Sequence, residues 1–214
     1  MIKRPILGAL GLLALCTSVL AQVNTVPQIG IGTGYIEKAT YSSAFFGLVP
    51  VVTSGTDQIC ITGSASKTVR VQRITIYGQT TTATQNVAIN LVKRASADTG
   101  GTPASTTANP GVVTQINRRD PSVAGTATAT LVSYTAAPTI VDTAPTYIDS
   151  QNMFSPLAAS VVAAAPVDFY FGRDLENNLA PPTLNGVAQQ VCVNNAATLT
   201  NTNLWNGSIT WTEE

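Results

Sequence analysis

Hydrophobic and polar residues alternate along most of the chain, with the period of two that is typical of β-strands with one buried face. The clearest case is the segment 86–94, in which Val87, Ile89 and Leu91 face one side and polar residues face the other. The alternation shifts phase at Arg73, as a β-bulge or a strand crossing between two sheets would produce. Further strands are predicted within the segments 58–61, 68–77, 126–134, 167–171, 187–193 and 208–212.

Turn-forming residues separate these strands, so the pattern as a whole predicts an all-β fold. Clusters of Gly, Pro, Asn and Asp interrupt the alternation, and no long stretch has the 3.6-residue period of a helix. The alanine-rich segment 157–165 lies between two prolines and is either a short helix or a covering loop. We therefore predict an antiparallel β-sandwich, jelly-roll-like, over residues 57–214, preceded by an extended arm over residues 22–56.

Residues 1–21 have the pattern of a cleavable export signal. Two basic residues precede an apolar stretch over 6–20, and small residues precede the predicted cleavage site between Ala21 and Gln22. A membrane anchor is the alternative, but a spanning helix needs about 20 apolar residues and this stretch is shorter. We therefore expect export without a stable membrane anchor.

Cleavage would leave two cysteines, Cys60 and Cys192, each on the polar side of a predicted strand. Cys60 lies between two isoleucines that share the opposite face, and Cys192 lies between two valines in the same way. An even pair of cysteines in an exported protein predicts a disulfide between them. Two unpaired thiols are the alternative, because the sequence does not fix the Cα separation that a bridge requires.

Composition removes several classes of function. Only 10% of the residues are charged, with 11 basic and 11 acidic residues, and there is no histidine. A nucleic-acid partner is not expected, because such binding needs a dense basic surface. Without histidine the chain has no Ser-His-Asp or Cys-His nucleophilic site and no His-ligated zinc or haem. The alternating glycines at 30–34 lack the flanking strand and helix of a nucleotide-binding loop, so we predict no cofactor. No acidic segment has the spacing of a calcium-binding loop, so we predict no metal.

Carboxylates are the remaining candidates for catalysis, since a glycosidase needs two of them across a cleft. Asp168 is the most suggestive, because strand alternation sets it opposite Val167 and Phe169; a solvent-facing residue is the alternative. Asp174 and Glu176 lie in a predicted turn, where a helix N-cap or an Asx-turn explains them. The other acidic residues considered are scattered along the chain: Asp57, Asp98, Asp120, Asp142 and Asp149.

Two other groups have structural interpretations. The basic pairs at 93–94 and 118–119 are expected on a solvated rim. A group of aromatic residues near the arm is expected to dock onto the domain or onto a neighbouring subunit, with sugar stacking as the alternative. This group consists of Tyr35, Tyr41, Phe45 and Phe46.

Four strings in order resemble a known class of proteins. They are ICITGSASKTVRVQRI at 59–74, NLVKRASADTGGTPAS at 90–105, ATATLVSYTAAPT at 127–139 and GSITWTEE at 207–214. Together they are similar to uncharacterised virion structural proteins of tailed bacteriophages and their prophages. The resemblance implies a β-sandwich that is capsid-associated or decorates a capsid, with no catalytic residues.

The sequence as a whole favours a non-enzymatic protein that acts by association. The first hypothesis is a virion structural or capsid-decorating protein that binds copies of itself, with a trimer as one form, or a capsid protein. The second is an exported bacterial surface or carbohydrate-binding β-sandwich, located at the cell surface or secreted. The third is a carboxylate-based glycan hydrolase.

Overall fold

The computed structural model describes residues 38–103, 117–119, 125–159, 163–171, 180–199 and 203–214, all within one compact unit that spans Lys38–Glu214. In these ranges the chain forms twelve β-strands and no helix. None of the described residues belongs to a helix of the length and hydrophobicity that crossing a membrane would need. The strands are β1 (Ala39–Leu48), β2 (Thr56–Thr62), β3 (Thr68–Thr80), β4 (Gln85–Arg94), β5 (Thr102–Pro103), β6 (Asn117–Arg118), β7 (Thr130–Ser133), β8 (Thr146–Ser155), β9 (Val167–Tyr170), β10 (Thr183–Asn185), β11 (Gln190–Asn195) and β12 (Asn203–Glu213).

The strands form two antiparallel sheets, and the predicted β-sandwich is confirmed. Sheet A has the order β10-β3-β12-β1-β6, with β9 also pairing with β3. Sheet B has the order β5-β7-β2-β11-β4-β8. The central strands of both sheets alternate apolar and polar residues because only one face of each sheet looks toward the other.

The core lies between the two sheets and is richest in aromatic residues on the sheet A side. Trp205 and Trp211 of β12 are fully buried, and the Trp211 ring stacks on Tyr41 of β1 with centroids 5.9 Å apart. Gly207 makes room for the buried Phe45 ring, because a Cβ there would lie 2.6 Å from that ring and 2.1 Å from a backbone oxygen. Sheet B contributes mainly branched aliphatic residues, among them Ile59, Ile61, Ile89, Leu91, Val191 and Val193.

The strand and bulge predictions are confirmed in two segments where the alternation of apolar and polar residues was clear. The segment 86–94 is β4, with Val87, Ile89 and Leu91 buried in the core. The phase shift near Arg73 is a bulge: β12 pairs with β3 at Arg73 and next at Val71, and Gln72 is the extra residue.

The boundaries of the sandwich differ from those predicted. Strand β1 lies within the segment assigned to the arm, 22–56, and pairs along its length with β12, so the sandwich begins before residue 57. Tyr41 and Phe45 of the aromatic group are therefore core residues, while Phe46 is 56% exposed. In the segment 157–165 the described residues are not helical; the backbone near Leu157 instead bridges to Thr80.

Candidate functional sites

The predicted disulfide between Cys60 and Cys192 is present, with both residues fully buried. The two cysteines lie directly opposite each other on neighbouring strands β2 and β11, with Cα atoms 4.1 Å apart. They point away from the main core, as their phase in the sequence indicated. Val92 and Tyr134 pack around the sulfurs in a second, smaller apolar cluster on the outer face of sheet B.

Two loops cover this outer face and bury what would otherwise be a solvent-facing surface. The loop after β4 and the loop after β7 are joined by backbone hydrogen bonds in both directions between Thr99 and Thr139, each 3.2 Å long. The N–H of Ala95 also donates to the Asp142 carboxylate at 2.7 Å. Side chains between these loops and sheet B are therefore shielded from solvent.

Three charged side chains occupy that site, and we call them the buried ion cluster: Asp57 on β2, Arg94 at the end of β4, and Asp98 in the following loop. None of the three side chains is more than 3% exposed. Arg94 donates from Nε and Nη2 to the Asp57 carboxylate, the Nη2 bond being 3.0 Å, and from Nη1 to the Asp142 backbone oxygen. Asn194 Nδ2 donates to Asp57 at 2.6 Å. The prediction that the basic pair at 93–94 lies on a solvated rim is therefore wrong for Arg94.

Asp98 is the member of the buried ion cluster whose charge is least compensated by hydrogen bonds and opposite charges. Its Oδ2 lies 3.5 Å from Arg94 Nε, but neither of its carboxyl oxygens has a hydrogen-bond partner among the described residues. Burial raises the pKa of Asp98 to about 7, the nearby Asp57 acts in the same direction, and Arg94 opposes the shift. One guanidinium does not offset two buried carboxylates, so Asp98 holds a proton well above the pH at which an exposed aspartate loses it.

The same corner contains four groups of metal-ligating type, Asp57, Asp98, Cys60 and Cys192, with their ligand atoms within 4.8 Å of one another. Zinc binds cysteine as the thiolate, and here both sulfurs are joined in the disulfide. The Asp57 carboxylate is already bonded to Arg94. Through the disulfide and these hydrogen bonds, the arrangement links β2, β4, β11 and the covering loops.

Glu213, which the sequence analysis did not single out, is a third buried carboxylate, and its pKa is shifted in the opposite direction to that of Asp98. It accepts hydrogen bonds from the backbone N–H groups of Thr128 and Ala129, each 3.0 Å, and from Trp211 Nε1 at 3.1 Å. Burial alone would raise the pKa of Glu213, but these hydrogen bonds outweigh it and hold the pKa below its usual range. Lys67 lies 3.4 Å away and completes an ion pair. Glu213 thus fixes the end of β12 to the segment before β7.

The outer face of sheet A carries an open groove of about 380 Å³, which we call the outer groove. The bulged residue Gln72 lies on its floor and donates to Thr212 Oγ1 at 3.3 Å. The Arg73 guanidinium carbon lies 5.8 Å from the centre of the Tyr170 ring, so the two side chains form one wall. The groove is lined by Thr40, Gln72, Arg73, Arg119, Tyr170, Thr210 and Thr212.

Asp168 lies beside this groove, on the solvent side of β9, where it neutralises Arg73. Arg73 Nε donates to both carboxylate oxygens, at 2.8 and 3.0 Å, and Thr75 Oγ1 donates at 3.1 Å. The hydrogen bond to Asp168 raises the pKa of Arg73. Among the described residues no second carboxylate bonds to this ion pair, so the geometry matches the solvent-facing alternative for Asp168.

The other candidate residues are dispersed. Asp142 accepts backbone hydrogen bonds from Ala95 and Ala144, which lower its pKa, and Asp149 lies on the edge strand β8. The remaining candidates lie outside the described residues: Ala21, Gln22, Tyr35, Asp120, Asp174 and Glu176.

Comparisons of this chain with protein families, with curated proteins and with solved structures gave no match.

Proposed function

We propose that this protein is a non-enzymatic structural module that works by docking the outer face of sheet A onto another protein surface. The observation that carries the proposal is the chemistry of that face. Its outward-facing groups include half-buried hydroxyls and amides from β1, β3 and β12, among them Thr40, Ser42, Gln72, Thr210 and Thr212.

Three basic residues of this face, Lys38, Arg70 and Arg73, are in ion pairs with its carboxylates, while Arg119 adds a further positive charge to the groove lining. Glu214 accepts from Lys38 at 2.5 Å and from Arg70 at 2.7 Å, and Arg73 pairs with Asp168. Paired charges and neutral hydroxyls cost less to desolvate than unpaired ions, and hydrogen bonds from the partner surface would offset the desolvation of the hydroxyls and amides. Apolar burial of about 25 cal/mol/Å² over an interface of ordinary size then favours association.

Replacing Thr210 by lysine is the first test of this proposal. Thr210 lies on the floor of the outer groove, and a lysine there would put an unpaired ammonium into the docked surface. We expect T210K to move the protein from the particle or cell-surface fraction to the free fraction, measured by quantitative mass spectrometry. The matched control is S54K, at an exposed turn away from sheet A, which should leave the distribution unchanged. Recovery of wild-type protein only in the free fraction would contradict the proposal.

Two locations remain under this proposal. The resemblance to virion proteins supports a particle component, whereas the Cys60–Cys192 bridge supports residence in an oxidising compartment and hence an exported surface protein. The same mass spectrometry separates them. A mature chain that begins at Gln22 favours export, and enrichment in purified virions favours the particle.

The outer groove also favours a second candidate, a carbohydrate-binding module. Tyr170 offers a ring that is 39% exposed, and hydroxyl and amide groups lie across the groove floor, a combination suited to a sugar with one apolar face. If this candidate is correct, polysaccharide binding measured by calorimetry should weaken at least tenfold in Y170A, at a cost of about 1.4 kcal/mol. The control F46A removes an exposed aromatic residue outside the groove lining and should bind as wild type does. Absence of binding to any tested glycan by the wild-type protein would dispose of this candidate.

A further inference from the structure

Strand β8 is the long outer edge of sheet B, and in the described part of the chain it pairs only with β4. Proteins commonly protect such edges with lysine, proline or a very short strand. Strand β8 has ten residues, Thr146–Ser155, and a single charged residue, Asp149. Its outward backbone groups are therefore a ready template for another strand.

The exposed side chains near both ends of β8 are aromatic. Tyr147 is 67% exposed and Phe154 is 38% exposed. Both lie on the outer face of sheet B, since Tyr147 pairs across β4 with Val92, a member of the outer apolar cluster, and Phe154 pairs with Asn86. A free monomer leaves these two rings in water on either side of a polar strand centre.

We propose that β8 of one copy pairs antiparallel with β8 of a second copy, around a two-fold axis that passes through the sheet at Gln151. In this arrangement Tyr147 of each copy lies opposite Phe154 of the other. The proposal adds a partner, a second copy of this chain, to the structural role proposed above, and it uses a surface separate from the outer face of sheet A.

The position of the axis follows from the faces of the strand. Residues that lie opposite each other in an antiparallel ladder share a face of the sheet, so a perpendicular two-fold axis must pass midway between the two copies of one residue, which then lie opposite each other. With Gln151 on the axis, Ser150 of one copy lies opposite Asn152 of the other, and all four side chains are exposed on the outer face. Asp149 then lies opposite Met153 on the inner face, and the two Asp149 carboxylates are kept apart.

The aromatic pairs follow from the bulge in β8. Against β4, Asp149 pairs with Leu91 and Tyr147 with the next residue, so Ile148 is the extra residue. If Ile148 is also the extra residue against the second copy, the pair that follows Asp149–Met153 along the ladder joins Tyr147 of one copy to Phe154 of the other. Each of the two symmetric contacts then covers two exposed rings, and no other axis position in this strand pairs both of them.

Charge variants at the strand centre test the pairing. S150K/N152K places lysines opposite lysines across the axis, whereas S150K/N152E places each lysine opposite a glutamate. Sedimentation of the purified mature protein should give a dimer for the wild type and for S150K/N152E, and a monomer for S150K/N152K. A monomeric wild type, or equal behaviour of the two variants, would overturn the proposal. Ser150 and Asn152 are both exposed, so their substitution should leave the protein folded. Near-UV circular dichroism of the wild type and both variants should confirm this.

Cross-linking tests the register. The double variant Y147C/F154C should form a covalent dimer under mild oxidation, visible on a non-reducing gel. Y147C and F154C alone should stay monomeric on that gel, because like positions are seven residues apart, roughly 20 Å, across the axis. Cross-linking of either single variant, or none in the double variant, would overturn the register. T210K should dimerise as the wild type does, so failure at β8 and failure at sheet A are distinguishable.

Discussion

Asp98→Asn is expected to stabilise the folded protein at pH 8 by up to about 4 kcal/mol and to have little effect near pH 4. The pKa of Asp98 is raised to about 7 in the folded state, against about 3.9 for an aspartate in an unfolded chain. The folded state therefore holds a proton that the unfolded state has already lost. The stability associated with this proton is fully present below pH 4, declines as the pH rises, and is gone above pH 7. Asparagine keeps the shape of the protonated acid and carries no charge at any pH.

Urea unfolding at several pH values measures this difference directly. Burial and, among the described residues, Asp57 on β2 raise the pKa of Asp98, whereas Arg94 on β4 and the Val141 backbone lower it. Asp98 in turn adds to the effect of burial in raising the pKa of Tyr134, which follows β7, and the Asp142 carboxylate acts on Arg94. Burial raises the pKa of Tyr134 to about 12, so it stays neutral over the range that matters.

Some carboxylates have the opposite pH dependence. The depressed pKa of Glu213 means that its contribution is lost as the pH falls, but wild type and variant share this loss and it cancels between them. D149N, at a half-exposed position of β8, is the charge-matched control. If the wild type and D98N keep the same difference in unfolding free energy from pH 4 to pH 8, the assignment of a buried neutral Asp98 is wrong.

Removing the disulfide is expected to cost roughly 3–5 kcal/mol of unfolding free energy. The bridge joins residues 132 positions apart, so it greatly restricts the unfolded chain, and it also links two central strands of sheet B. C60A/C192A should therefore melt about 10 °C below the wild type in a calorimetric scan.

Reduction supplies the matched control for this prediction. A reductant should lower the melting temperature of the wild-type protein toward that of C60A/C192A and should leave the variant unchanged. A wild-type melting temperature that does not respond, while thiol titration shows the bridge to be open, would refute a stabilising role.

Much of the sandwich could be predicted because the strand signal is local. The phases of Cys60 and Cys192 placed both side chains opposite the apolar face of their strands, and the even number of cysteines predicted their pairing. The fact that their strands are neighbours came only from the structure. The bulge at Gln72 was visible for the same reason, since an extra residue shifts the alternation of apolar positions at that point.

The chemistry on the outer face of sheet B could not be predicted, because it depends on contacts between distant segments. Arg94 at the end of a polar strand face is typical of a solvated rim, and only the loops that join at Thr99 and Thr139 make it a buried residue. Glu213 is similar, since its hydrogen-bond donors come from Thr128 and Ala129, more than eighty residues away in the chain. Strand β1 was missed for a simpler reason: its alternation follows directly on a glycine-rich segment and was assigned to the arm.

The place of β12 in sheet A has a consequence for biosynthesis. This strand lies between β1 and β3 and contributes both core tryptophans, yet it is formed by residues 203–213. The register joins Ala39 to Glu213, so the central pairing of the sheet spans almost the whole described chain. Residues 203–213 must therefore be synthesised before this half of the sandwich can close on β1, and the long sequence separation makes closure slow. Until then β1 and β3 lack the strand that pairs with both of them, so the tryptophan side of the core cannot form.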